Sequence, residues 1–109
     1  EMRESARRIC KKRGIEYLEV KTSEIPPIDM SEDVQNGLEM AARRLGVNCR
    51  RMVSGAGHDA MSFAGICNTG MVFIPCVKGV SHNRMEFASI TDICEGARVM
   101  YEYLKEEAS

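Results

Sequence analysis

The run Gly70–Cys76, with the sequence GMVFIPC, restricts the fold of this chain more than any other segment. It is continuously apolar and ends at a proline and a cysteine, with no alternation between apolar and polar residues. Such a run is typical of a strand buried on both faces, as in the central sheet of an α/β protein. The segment therefore predicts an α/β fold, in which helices cover the faces of a sheet.

Four segments have the apolar spacing of helices. These are residues 3–13, Ser31 to Gly46, 58–66, and about Ser89 to Lys105. A serine at the start and a glycine after the end are typical boundaries of such helices. On the last helix we expect one apolar stripe to face the core, formed by Ile90, Ile93, Cys94, Ala97, Met100, Tyr101 and Leu104.

Two further segments, residues 15–20 and 47–53, have the composition of short strands. Between the first of them and the second helix, Pro26 and Pro27 interrupt regular structure, because proline fits neither a helix interior nor a central strand. This break predicts a domain boundary, with residues 1–24 on one side and 25–109 on the other.

The composition excludes several classes of protein. The chain has 109 residues and a net charge of −1, so its charge does not favour binding to nucleic acid or a membrane surface. No apolar run approaches the roughly 18 residues that span a bilayer. The five cysteines are odd in number and never spaced as CxxC, which argues against a disulfide framework or a cysteine zinc site. We interpret them as reduced, mostly buried thiols of a cytoplasmic protein.

The segment SGAGHDAM, Ser54–Met61, contains one of the two histidines. Gly55 and Gly57 allow a ligand to approach the backbone closely, and His58 is able to donate a hydrogen bond to a substrate oxygen. Asp59 is placed to cap the following helix or to orient its neighbour. The residues alone leave a second interpretation open, in which this is an ordinary glycine turn before a helix.

The second histidine, His82, lies on the loop that follows the apolar run. Imidazole is a common ligand of zinc and suits manganese as well, and Glu86 is placed to steady the loop. A catalytic zinc site needs about three protein ligands, and this chain has two histidines and no HExxH motif. The residues alone therefore favour an ordinary histidine on a surface loop and leave a metal ligand as the alternative.

The order and spacing of SGAGHDAM, TGMVFIPCVKGVSHNRMEF and an amphipathic C-terminal helix resemble a known family. The chain is similar to the M20 metallopeptidase-like amidohydrolases, in the branch of N-carbamoyl-L-amino acid hydrolases, allantoate amidohydrolases and β-ureidopropionases. The resemblance covers residues 26 to 109. It implies the C-terminal part of a zinc-peptidase-like αβα catalytic domain. The last helix and strand of an α+β lid, or dimerisation, domain would precede it over residues 1–24.

The resemblance also implies roles for the SGAGHDAM segment. His58 would contact the scissile carbamoyl or amide group, or the substrate carboxylate. Gly55, Ala56 and Gly57 would lie along the substrate, and Asp59 would shape the turn.

For the second loop, the resemblance implies that His82 is a metal ligand and that Glu86 braces its loop. The family's site holds two divalent metal ions, zinc or manganese, and the other ligands and the general base would come from an upstream part of the polypeptide. None of those catalytic groups is identifiable in this chain, so the resemblance implies that the chain alone is inactive.

The expected function is that of a C-terminal fragment of a metal-dependent amidohydrolase, which hydrolyses a C–N bond of N-carbamoyl amino acids or related ureido acids. Its expected partners are a ureido or N-acyl amino acid substrate, the rest of the catalytic domain and a second copy of the protein in a homodimer. Two alternatives remain: a non-catalytic binding or assembly module, and an M20 aminoacylase or peptidase. The metal and the exact substrate are left open.

The start of the sequence carries a further expectation. Residue 1 is a glutamate, and the first residues already have a helical pattern, so we expect a piece of a longer polypeptide. In such a piece, the strand Gly70–Cys76 would lack its neighbours, and exposed strand edges promote self-association. We therefore expect the chain on its own to form oligomers as its concentration rises.

Overall fold

The computed structural model describes residues 1–108 and consists of four helices joined by extended segments. Helix α1 spans Met2–Arg13, α2 spans Glu32–Arg44, α3 spans Ala60–Phe63 and α4 spans Ile90–Glu107. A single 3₁₀ turn lies at Val77–Gly79. None of these helices is long and apolar enough to cross a membrane.

The helix boundaries follow local capping chemistry. The Oγ atom of Ser31 accepts a hydrogen bond from Val34 N at 3.5 Å, and that of Ser89 accepts one from Asp92 N at 3.1 Å. These bonds satisfy backbone donors that a helix start leaves unpaired. Gly14 ends α1 in the left-handed conformation, with φ of 64°. The predicted helices at residues 3–13, 31–46 and 89–105 are therefore confirmed to within two residues.

The core lies between α2 and α4. Ala41, Ala42 and Val99 are its buried residues, and Leu38, Leu45, Val47 and Tyr103 pack around them. The two helices approach closely at Gly37, where an added Cβ atom would lie only 2.5 Å from the Tyr103 ring. The absence of a side chain at this position leaves room for that ring. An ion pair between Arg44 and Glu106 joins the ends of the two helices.

The three predicted strands have no regular secondary structure, and within residues 1–108 none of them pairs with another in a ladder. The segment 70–76 lies against both core helices. A Cβ atom at Gly70 would lie 2.5 Å from Val34 of α2, and one at Gly96 of α4 would lie 2.5 Å from Ile74. Residues 1–108 thus contain helices and no strand, so the sheet of the predicted α/β fold stays a prediction.

The shape of the chain is elongated. Its extents are 64 × 34 × 19 Å and its radius of gyration is 19.9 Å, against about 13 Å for a compact domain of this length. Helix α1 contacts neither α2 nor α4. Its ion pairs run instead from Arg3 and Arg7 to Glu19, at 2.8 and 3.4 Å. The boundary near Pro26 and the assignment of residues 1–24 to a lid domain stay predictions.

Two expectations about burial are wrong. The predicted core stripe of α4 is exposed along its whole length, and Gly96, Val99 and Tyr103 form the packed face instead. Both sides of α4 are apolar, so periodicity alone does not identify the side that meets α2. The thiols are not mostly buried either: Cys10 and Cys76 are partly buried, and Cys49, Cys67 and Cys94 are exposed.

Because Gly96 lies close to Ile74, we expect even an alanine at position 96 to destabilise the fold. Gly96→Ala adds about 1 kcal/mol of helix propensity, but the new methyl group would lie 2.5 Å from Ile74 Cγ2. Overpacking of this kind costs about 1–3 kcal/mol. We expect a net loss of about 1 kcal/mol in the free energy of unfolding, measured with urea and far-UV circular dichroism. Gly65→Ala is the matched control, since a Cβ atom there meets open space; equal losses for both variants would contradict this packing.

Because of Tyr103, we expect the free energy of unfolding to fall at alkaline pH. Burial, and then the negative charges of Glu107 and Asp33, raise the pKa of Tyr103. A raised folded-state pKa gives stability that is present below the unfolded value of about 10 and is lost as the pH rises through the folded value. We expect Tyr103→Phe to reduce the loss of unfolding free energy between about pH 8 and about pH 11. The control is Tyr101→Phe, at an exposed tyrosine, and it should leave the alkaline loss of unfolding free energy in place. If Tyr103→Phe also leaves that loss unchanged, ionisation of Tyr103 is not its cause.

Candidate functional site

The His58 loop connects the extended segment 47–53 to α3. Ser54 Oγ and His58 Nε2 lie 2.7 Å apart, and Ala56 N donates a hydrogen bond to the same Oγ atom at 3.2 Å. The Phe73 ring meets the imidazole edge to face, with centroids 5.4 Å apart and an interplanar angle of 68°. His58 is partly buried. Its ring is held in one orientation by Ser54 of its own loop and by Phe73 of the segment 70–76.

The surface beside His58 is open. Gly55, Ala56 and Gly57 are exposed. A Cβ atom at Gly55 would meet nothing within 4 Å, and one at Gly57 only Met61 Sδ at 4.0 Å. Neither glycine has a positive φ, so what these residues contribute is the absence of a side chain and not a left-handed turn.

Asp59 begins α3, but its side chain makes no capping hydrogen bond. Its carbonyl oxygen accepts a hydrogen bond from Ser62 N at 2.9 Å, which forms part of the turn. The expectation that the Asp59 carboxylate caps the helix is therefore wrong. The regular helix is also shorter than the predicted range 58–66, with four residues, because Gly65 and the turn to Cys67 follow directly.

The His82 loop is closed by a hydrogen bond from Val77 N to Phe87 O at 2.8 Å. His82 itself is exposed and has a φ of 55°, a left-handed conformation that costs an L-residue about 1–2 kcal/mol. Its backbone N–H donates to Glu86 Oε2 at 2.8 Å, and Glu86 N donates to Asn83 O at 2.9 Å. The Glu86 carboxylate thus holds the His82 backbone in place, as expected of a residue that braces the loop.

The two loops do not form a complete metal site by themselves. Over residues 1–108, no three histidine, cysteine or acidic side chains come together in a group that could hold a metal ion. In the same range, no hydrogen bond or ring contact joins His58 to His82. Since a catalytic metal needs about three protein ligands, these residues do not hold one unaided. His82 offers one ligand, with an exposed ring.

Arg51 was not predicted, and it fixes the segment that leads into the His58 loop. Its guanidinium donates to Glu32 at 2.9 Å, to Asn36 at 2.6 Å and to Glu39 at 3.1 Å. The hydrogen bonds to Glu32 and then to Glu39 raise the pKa of Arg51. The sequence signal is present in retrospect: three acceptors at positions 32, 36 and 39 lie on one face of α2, opposite a nearby arginine. Ser54 and Phe73 were also missed, because only their contacts with His58 single them out.

Comparisons with known proteins agree with one another. The profile of peptidase family M20/M25/M40 matches residues 8–106. The N-carbamoyl-L-amino-acid amidohydrolase of Pseudomonas sp. (strain NS671) is 40% identical over 91% of this chain and 24% of its own length. The allantoate amidohydrolase of Escherichia coli (strain K12) is 42% identical over 68% of this chain and 18% of its own length.

A solved structure shares the course of the chain. The crystal structure of an amidase of the hydantoinase/carbamoylase family from Burkholderia vietnamiensis matches 94% of this chain with a TM-score of 0.84 and 35% identity. This match covers 25% of the amidase. The chain therefore spans about a quarter or less of the length of these relatives.

Proposed function

Because this chain belongs to the peptidase family M20/M25/M40, we propose that it is the C-terminal part of a metal-dependent amidohydrolase. Its substrates would be N-carbamoyl amino acids or related ureido acids, whose carbamoyl or amide C–N bond is hydrolysed. Relatives at 40% and 42% identity are named for N-carbamoyl-L-amino-acid and allantoate hydrolysis. Both substrates are ureido acids, so the chemical class is the same in the two relatives.

The observation that carries this proposal is the His58 loop. A partly buried imidazole, fixed by Ser54 and by Phe73, stands beside three residues with little or no side chain. Such a surface lets a small polar molecule approach the backbone and meet an oriented hydrogen-bond donor. His58 would bind the carbamoyl oxygen or the carboxylate of the substrate, with Gly55, Ala56 and Gly57 along it and Asp59 supporting the turn.

His82 would supply one ligand to a centre of two divalent ions, zinc or manganese. Its ring is exposed, and its backbone is held by Glu86, which fixes the direction in which the imidazole leaves the loop. The remaining ligands and the general base would come from other parts of the polypeptide. When bound, such ions polarise a carbonyl group and activate water at neutral pH.

The exposed apolar surface supports a role as part of a larger domain. The segment 70–76 has no paired neighbour within residues 1–108, and one face of α4 is apolar and exposed. Both features would be covered by the rest of the catalytic domain. Residues 1–24 would then end a lid domain that forms the homodimer, and a cytoplasmic location would suit the reduced thiols.

A panel of substrates tests this function. Full-length protein, supplied with zinc or manganese, is assayed with N-carbamoyl-L-amino acids, allantoate, ureidoglycolate, N-acetyl amino acids and dipeptides. We expect the ureido acids to have the highest kcat/KM. A preference for N-acetyl amino acids or dipeptides would instead establish the aminoacylase or peptidase alternative.

A second candidate function is a non-catalytic assembly module that keeps the fold. The observation that favours it is the missing ligand group in residues 1–108. This candidate predicts that the protein folds equally well with and without added metal and turns over none of the panel. Hydrolysis of any ureido acid, lost on treatment with a chelator and restored by metal, would exclude it.

A further inference from the structure

We propose that Ser54 is a positioning residue that holds His58 as the tautomer with its hydrogen on Nδ1, so that Nδ1 donates a hydrogen bond to a substrate oxygen. The hydrogen bond to a substrate oxygen rests on the proposed function, whereas the tautomer of His58 does not. It identifies a residue outside the set predicted from the sequence. It also identifies which nitrogen of His58 meets the ligand.

The hydrogen-bond inventory around Ser54 favours one direction for the contact, which the distance alone leaves open. A serine hydroxyl has one proton to donate and two lone pairs. Ala56 N–H already donates to Ser54 Oγ at 3.2 Å, and His58 Nε2 lies 2.7 Å from the same atom. If Nε2 carried the hydrogen, the hydroxyl would accept twice, and its proton would have no other acceptor among residues 1–108. With the proton donated to Nε2, the Ser54 hydroxyl and His58 Nε2 both have a partner.

A neutral imidazole that accepts at Nε2 carries its hydrogen on Nδ1. Within residues 1–108, Nδ1 has no hydrogen-bond partner, so it is the nitrogen left for a ligand. An N–H donor requires an acceptor, and both the carbamoyl oxygen and the carboxylate of a ureido acid are acceptors. The geometry therefore favours a substrate oxygen, and not a substrate amine, at His58.

Phe73 holds the same ring from a second direction. Its edge-to-face contact, at 5.4 Å, comes from the extended segment 70–76, and Ile74 in that segment packs against Gly96 of α4. Aromatic pairs in this arrangement attract each other beyond the effect of the area they bury. Ser54 sets the tautomer, and Phe73 limits rotation of the ring.

The first test reads the tautomer directly and needs no activity. The chain contains only two histidines, so the ¹⁵N spectrum of its imidazoles holds two ring systems, and His82→Gln assigns them. Solid-state NMR of sedimented protein, at a pH at which imidazole is neutral, tolerates self-association. We expect a protonated Nδ1 in His58 of the wild type and a mixture of tautomers in Ser54→Ala. A protonated Nε2 in the wild type would overturn the inference.

The second test uses a double-mutant cycle in the full-length protein. We expect Ser54→Ala to lower kcat/KM for ureido acids by about 5-fold, since one hydrogen bond is worth roughly 1 kcal/mol. Ser54→Thr, which keeps the hydroxyl, restores most of that loss. In a His58→Ala background, Ser54→Ala should cause no further loss, because its role acts through His58. The matched control is Ser62→Ala, whose side chain makes no hydrogen bond within residues 1–108 and whose activity should stay normal.

The outcomes separate this inference from the proposed function. Inactive wild-type protein across the whole substrate panel refutes the proposed function, and the NMR experiment still decides the tautomer. Active wild type with a fully active Ser54→Ala variant refutes the role of Ser54 alone. Equal losses from Ser54→Ala with and without His58 would also overturn the inference, because they indicate a general structural role.

Discussion

Replacing His82 with alanine is expected to lower kcat/KM for N-carbamoyl amino acids by on the order of 1000-fold in the full-length protein. The reason is that the variant keeps the fold of the loop but loses the imidazole that we propose as a metal ligand. His82 is exposed, and only its backbone N–H bonds to Glu86, so little packing is lost with the ring. Steady-state kinetics with zinc or manganese in excess measures the effect.

Two variants in the same loop act as controls. Arg84 is exposed and makes no hydrogen bond or ion pair within residues 1–108, and Arg84→Ala should keep kcat/KM within about 3-fold of the wild type. Glu86→Gln keeps an oxygen that can accept from His82 N, so its loss should be smaller than that of His82→Ala. Activity in His82→Ala close to that of the wild type would show that the ring is not a ligand.

Residues 1–109, produced as an isolated chain, are expected to self-associate strongly. The apolar face of α4 is exposed, with Ile93, Met100 and Leu104 at 46, 49 and 57% of their full accessible surface. The segment 70–76 has no paired neighbour in the described part of the chain. Exposed apolar patches and unpaired extended segments both promote association. Light scattering should give a mass that rises with concentration from 12.2 kDa to at least twice that value.

A pair of charge substitutions tests which surface is responsible. Ile93→Glu together with Met100→Glu places two carboxylates on the apolar face of α4 and should shift the association to higher concentrations. Arg98→Glu, on the same helix at an exposed position outside that stripe, is the control. A mass of 12.2 kDa at every concentration for the wild type would contradict the expectation.

The helices were predictable because their boundaries depend on neighbouring residues. Ser31 and Ser89 cap helix starts through bonds to residues three positions away, and Gly14 ends α1 through its own backbone conformation. Such signals lie within a few residues of one another and are visible in the sequence. The direction in which α4 faces was not predictable, because it depends on α2 and on the segment 70–76, which are distant in sequence.

The strands show the same division between local and distant information. The apolar run Gly70–Cys76, predicted as a strand, passes over the core helices without forming a regular strand within residues 1–108. The neighbours with which it would pair cannot be read from its composition, since parallel strands bond to strands that are distant in sequence. Composition thus predicts a strand here, but it does not identify the neighbours with which that strand would pair.

For the candidate site, the sequence singled out the candidate groups, and the structure added the residues that hold them. His58 and His82 stand out as the two histidines, and each lies on a loop next to an extended segment. Ser54, Phe73 and Arg51 carry no signal of their own. They become recognisable only through the Ser54–His58 distance, the ring contact of Phe73 and the bonds of Arg51 to α2.

The central claim is that His82 is a ligand of a metal centre shared with the rest of the catalytic domain. The most direct test is the metal content of the full-length protein, wild type against His82→Ala, after dialysis against zinc and then metal-free buffer. The account predicts about two ions per protomer in the wild type and at least one fewer in the variant. Equal metal content in the two proteins would contradict it.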